Sequence, residues 1–363
     1  RIKRKIKKNN TNCIMGIYEL ITFGGFMLIV SLMLALDLGV FHKDDHVVTF
    51  KESLTWTGVW VSVAVLFGVA IYFFGEYIHG IDSMDKLVTL NKLHGHNLSL
   101  DLGVSLEENL AMYREALALE YYTGYLIEEA LSIDNIFVMI MIFMSFGIEE
   151  KYYHRVLFWG ILGAIVLRFI FIFLGAALIQ KFAWILAVFG AILIFSGGKM
   201  LFVKEKESID TENHPVVRFV SKHFRLLKDY KGHDFFVKKD GKKYVTMLFL
   251  VLLVIEFSDV IFAVDSIPAI FSVTQDPYIV FFSNIFAILG LRSLFFMLSN
   301  VMNMFCRLKT GLGILLVFIG TKMLLHTFFH IEISTAVSLM VIVGIIALSI
   351  IASILFPIKK ENA

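Results

Sequence analysis

Cysteine is nearly absent from this chain. Cys13 and Cys306 are the only two among 363 residues, which rules out a disulfide framework and a CxxC metal site. Charge is also scarce. Charged residues make up 18% of the chain, against about 25% in an ordinary soluble domain, and they cluster in a few loops. Also missing are a Gly-rich phosphate loop, a serine nucleophile elbow and an HExxH helix, so no enzymatic activity or resident cofactor is expected. Two aspartates in apolar surroundings bring an intramembrane aspartyl protease to mind. Their settings, SIDN and AVDS, lack the tyrosine-aspartate and glycine-x-glycine-aspartate contexts of that class.

What fills the chain is apolar. Hydrophobic residues reach 58%, 36 of them phenylalanine, and the mean hydropathy is +0.78. Mostly apolar windows of membrane-spanning length recur, so the chain reads as an all-α polytopic membrane protein embedded in a lipid bilayer. Nine spans are expected, at about 16–36, 54–75, 123–146, 154–178, 182–202, 245–271, 278–300, 311–329 and 332–356. The chain then divides into a basic N-terminal tail (1–15), two N-terminal spans (16–75) and an extracytoplasmic loop (76–122). A first three-helix unit (123–202), a basic cytoplasmic loop (203–244) and a second three-helix unit (245–329) follow, and a last span with its tail (330–363) completes it. In the first long loop, Ser105 with Glu108 three residues on predicts a capping box, with an amphipathic surface helix running to Leu119. In the second, a helical run is predicted over His214–Tyr230, then a hairpin turning at Asp240-Gly241.

Loop charge sets the orientation. With the C-terminus inside, the cytoplasmic loops hold nineteen basic residues, eleven of them in Val203–Lys243. The outer loops then hold only Lys86, Lys92, Arg114 and Lys181, apart from the N-terminal tail. A bacterial cytoplasmic membrane with the N-terminus outside is therefore expected, and the basic loop marks the cytoplasmic face, not a nucleic-acid partner. The basic tail objects to this orientation; a start at Met15 would make residues 1–14 an upstream extension. Oligomeric state is left open, a homo-oligomer included.

Three blocks repeat in register. Asp134-Asn135-Ile136 aligns with Asp265-Ser266-Ile267, which places Glu128 on Asp259. GILGAIVLR ending at Arg168 aligns with NIFAILGLR ending at Arg292, and Gly190–Leu201 matches Gly313–Leu324 at seven of twelve positions. Each unit has three helices, an odd number, so the two enter the membrane from opposite sides. Inverted-topology repeats of this kind place substrate sites near midplane, where the units meet.

The first helix of each unit carries the acids. Intramembrane carboxylates cost about 2.5–3.5 kcal/mol each, so a segment keeping several is expected to use them. An all-oxygen set from Glu128, Asp134, Asn135, Glu256, Asp259 and Asp265, with Asp37 from the first span, suits a hard divalent cation such as Mg²⁺, Mn²⁺ or Ca²⁺. Glu129 has no counterpart in the repeat and is set aside. At about 100° per residue, Asp259 and Asp265 lie about 120° apart on a helix; a break at Pro268 would loosen that constraint and free carbonyls beside Asp265. Arg168 and Arg292 are the expected charge compensators, and plain ion pairing with them is the alternative to ligation. Lys199 and Lys322 are expected to snorkel. His326 and His330 have the i, i+4 spacing of a metal pair but stand at a helix end, where ligation is not expected.

EEALSIDNIFV, HRVLFWGILGAIVLR and IEFSDVIFAVDSIPAIFSVTQDPYIVFFSNIFAILGLRSLFF, with LALDLGVFHK and FGAILIFSGGKML, resemble the TerC family of integral membrane proteins, named for tellurium resistance determinants. The resemblance implies Mn²⁺ efflux by an inverted-repeat cation exporter, with the acidic positions in these motifs as its ligands. Plant members of that family resemble membrane-protein assembly factors, which implies a scaffold without transport as the alternative.

Overall fold

A backbone inside a bilayer has no water to bond, so long apolar segments satisfy their amides internally as helices. The computed structural model follows this rule. It describes residues 17–41, 49–96, 98–182, 184–202, 214–227, 232–239, 241–301 and 308–355. In chain order the helices are α1 (Ile17–Phe41), α2 (Phe50–Phe74), α3 (Glu76–His79), α4 (Met84–Leu93), α5 (Leu106–Ser145) and α6 (Tyr153–Lys181). Then come α7 (Ile185–Phe202), α8 (Pro215–His223), α9 (Met247–Phe271), α10 (Pro277–Val301), α11 (Leu308–Phe329) and α12 (Thr335–Leu355). Among the described residues, eight helices are long and apolar enough to cross a membrane: α1, α2, α6, α7 and α9 to α12. The ninth expected span lies in α5, which its charges set apart in composition.

α5 departs from expectation in length. The surface helix predicted to end at Leu119 and the span predicted from 123 are one unbroken helix of 40 residues. That is about 60 Å of helix, roughly twice the hydrocarbon core of a bilayer. Its start is as the sequence predicts, Ser105 Oγ accepting from the Glu108 amide at 3.3 Å. Close packing accompanies this continuity: a Cβ at Gly124, just inside the expected span, would meet Ser283 Oγ of α10 and Ile270 of α9.

α10 forms the axis of the bundle. Its apolar stretch is entirely buried among α5, α2 and α6, as expected for a helix apolar all round. Phe26 of α1 packs against Phe282 of α10 with centroids 4.3 Å apart, and Phe67 of α2 meets Phe286 at 4.7 Å. α7 and α11 pack closest of all. A Cβ on Gly197 would lie 2.6 Å from the Gly313 carbonyl, and one on Gly320 would lie 2.6 Å from that of Gly190. Small residues that let backbones touch are the usual basis of helix association in lipid. Because 190 meets 320 and 197 meets 313, the two helices run antiparallel.

Two local predictions shift. The helical run expected over His214–Tyr230 stops at His223, because Leu226–Leu227 (β1) instead pairs in parallel with Lys242–Thr246 (β3). Phe236–Lys239 (β2) pairs antiparallel with β3, Lys239 opposite Lys242, and Gly241 takes the left-handed φ of +72° that the expected tight turn requires. At the other site, α9 continues through Pro268 to Phe271. The proline falls in its last turn, where few bonds remain to be lost, so the helix is not broken beside Asp265. Met15, Cys13, Cys306 and the Asp37 side chain lie outside the described residues.

Adjacent glycines of α7 test the packing. Gly197→Ala is expected to lower the melting temperature of the detergent-purified protein, since overpacking costs about 1–3 kcal/mol. Gly198→Ala meets nothing within 4 Å and is expected to leave it unchanged or raise it, through helix propensity. Equal effects would contradict the close contact.

Candidate functional site

Arg168 on α6 is 1% exposed. A guanidinium this deep in a spanning bundle cannot shed its charge, so it needs acceptors around it. Four residues from three other helices supply them. Nη1 donates to Glu128 Oε1 of α5 at 2.5 Å, Asn284 Oδ1 of α10 at 2.8 Å and Ser266 Oγ of α9 at 2.9 Å, which share its two hydrogens. Nη2 faces Asp259 Oδ1 of α9 at 3.7 Å. Asn284 Nδ2 donates to Glu128 Oε2 at 3.1 Å. Both Glu128 oxygens are thus satisfied, whereas Asp259 Oδ2 is buried with no hydrogen-bond partner.

The two positions that the repeat aligns, Glu128 and Asp259, therefore converge on one cation. By formal count, two carboxylates against one guanidinium give the cluster one negative charge in excess. Along the same face of α5, one and two turns from Glu128, Ser132 Oγ and Asn135 Nδ2 are buried without partners. Glu256 lies one turn from Asp259 and lines with it a cavity of about 20 Å³ between α5, α6, α9 and α10. Its carboxylate occupies the space a Cβ on Gly163 of α6 would take.

The remaining expected residues are spread out. Asp265 is half-buried and accepts from Ser196 Oγ of α7 at 2.7 Å. The angular separation along α9 thus holds: Asp259 faces α6, and Asp265 faces α7. Asp134 is half-buried on α5, and Arg292 is buried on α10. Lys322, expected to snorkel, is instead buried and lines with Glu120 and His326 a second cavity of about 480 Å³ at the α3–α4 end.

One polar cluster escaped the sequence reading. His79, His94, His96, Glu120 and Asp276 are all buried at that end of the bundle. The sequence signal was three histidines within eighteen residues of the expected extracytoplasmic loop; neither Asp276, far along the chain, nor Glu120, just past the expected surface helix, could be attached to them without the fold.

Residues 113–361 match the integral membrane protein TerC family. An uncharacterized membrane protein of Myxococcus xanthus is 43% identical over 341 residues, covering 94% of this chain and 93% of its own length. Alx of Escherichia coli (strain K12), named for a suggested role as a membrane-bound redox modulator, is 43% identical over 330 residues, 91% of this chain and 92% of its own. A Rickettsia bellii membrane protein is 40% identical, covering 91% and 96%. No solved structure matches the chain. The family match over more than half the chain, with relatives this similar along nearly their whole length, shows that the chain belongs to the integral membrane protein TerC family.

Proposed function

We propose that this protein exports a divalent cation, Mn²⁺ by resemblance, by alternating access around the Glu128–Arg168–Asp259 cluster. The observation carrying this reading is the pairing itself. Equivalent acids of the two aligned units hold one buried arginine, and one carboxylate oxygen is left without a partner. A dication arriving at these carboxylates neutralises both and displaces the guanidinium, which retains Ser266 and Asn284 as acceptors. Arg168 then acts as the internal counter-ion of the empty state, returning when the cation leaves. Glu256, nearer the basic end of α9, is placed to deliver the ion. The reciprocal α7–α11 glycine contact supports the inverted repeat: Gly190 and Gly197 align with Gly313 and Gly320, and each meets the other unit's non-equivalent glycine, as a pseudo-two-fold axis requires. A direct redox role draws less support from a chain with two cysteines. The orientation, C-terminus inside an inner membrane, rests on loop charge alone.

Three outcomes are expected. In proteoliposomes the purified protein moves Mn²⁺ down an imposed gradient, and Glu128→Gln or Asp259→Asn lowers the initial rate at least about tenfold, the equivalent of about 1.4 kcal/mol in the barrier. Normal rates in both variants, or no flux in the wild type, favour the scaffold reading. Arg168→Met strands two buried carboxylates, a change that typically costs about 3–5 kcal/mol. Added Mn²⁺ should therefore raise its melting temperature more than that of the wild type; an equal rise would remove Arg168 from the ion's place. For orientation, in a Cys13→Ser/Cys306→Ser background, the Ser83→Cys variant should react with an impermeant maleimide in whole cells, and the Lys238→Cys variant only after lysis. The opposite pattern would invert the assignment.

A further inference from the structure

We propose that His79, His94 and Asp276 form a second metal site, for a borderline first-row transition-metal dication best represented by Zn²⁺, outside the spans and independent of the intramembrane carboxylates. The three residues come from separate parts of the chain. His79 ends α3, His94 caps α4, and Asp276 immediately precedes α10. All are at least nine-tenths buried, and one donor atom from each lies within 4.8 Å of the other two. Side-chain shifts of about an ångström bring such a triad to Zn–N and Zn–O bonding distances. Two imidazoles and a carboxylate are the donor set that borderline metals favour over Mg²⁺ or Ca²⁺.

The surroundings are built as metal sites are. A ligating histidine ordinarily gives its second nitrogen to a carboxylate, which fixes the ring and its tautomer. His79 does so: Nδ1 is 3.0 Å from Glu19 Oε1 of α1, leaving Nε2 toward Asp276 Oδ2 at 2.8 Å. Asp276 is oriented in turn, its Oδ1 accepting the Tyr278 amide at 2.9 Å. His94 supplies the unexplained group. Its Nδ1 is buried without a hydrogen-bond partner, a costly arrangement for a polar atom that a bound cation would relieve.

Two carboxylates, Asp276 and Glu19, flank His79, and a dication matches their formal charge. The cavity of about 480 Å³ lies next to the triad, lined by Gly95, His96 and Gln275, the chain neighbours of His94 and Asp276.

Co²⁺ is the probe, because a low-symmetry nitrogen and oxygen site gives it intense visible absorption. Chelator-stripped full-length protein in detergent should develop that absorption on titration with Co²⁺, and Zn²⁺ should bleach it by competition. His94→Ala should abolish it; because the buried ring also stacks on His79 at 5.0 Å, a cooperative metal-free melt checks that the variant is folded. Glu19→Gln should weaken Co²⁺ binding about 10- to 100-fold, as loss of an outer-shell carboxylate does. The double variant Glu128→Gln/Asp259→Asn should keep the signal intact, whatever becomes of transport. No Co²⁺ absorption in the wild type would overturn the site. So would a signal that His94→Ala and Glu19→Gln both leave unchanged, or one that the intramembrane double variant removes.

Discussion

A permanently charged guanidinium buried in a lipid-spanning bundle is the constraint on which the centre of this structure depends. Arg168 cannot be neutralised at physiological pH, and in hydrocarbon it cannot be left unpaired. Its acceptors therefore fix the positions of α5, α9 and α10 around α6 at one level, through Glu128, Asp259, Ser266 and Asn284. Packing elsewhere is permissive by comparison: aromatic contacts dock α1 and α2 on α10, and glycines let α7 lie against α11. Both serve to bring the two acidic helices to the same arginine.

The same constraint gives the proposed transport reading its physical content. A buried ion cluster with a surplus negative charge and an unpaired carboxylate oxygen is poised between two partners, a fixed cation and a mobile one. Exchange between them costs less than creating an empty pair of carboxylates, because the charge on the cluster never rises to that of both acids alone. Units of inverted direction would present this cluster to either side by the same motion run in opposite senses. A purely structural ion pair would gain nothing from the exchangeable surplus.

How much of this could be read from residues differs by feature. The spans were legible because apolar composition alone dictates helix in a bilayer, and the Ser105 cap and the Gly241 turn because their chemistry is local. The convergence of position 128 with position 259 was legible through the internal alignment. Four things were not. The continuity of α5 is accompanied by close packing of α9 and α10 at Gly124, and the end of α8 by a strand pairing with β3; both are tertiary features that local propensity does not report. Pro268 looked like a break although the span was expected to end at about 271; the proline falls in that last turn, where little of the helix remains to be disrupted. The histidine cluster needed Asp276, brought from nearly two hundred residues away, and no periodicity or spacing reports that distance.

A structure of the protein at saturating Mn²⁺, with anomalous scattering to locate the metal, tests the central claim most directly. A Mn²⁺ peak bridging Glu128 and Asp259 is expected, with the Arg168 guanidinium withdrawn toward Ser266 and Asn284. Arg168 still bonded to Glu128 and no peak between the two acids, in protein that moves Mn²⁺, would contradict it.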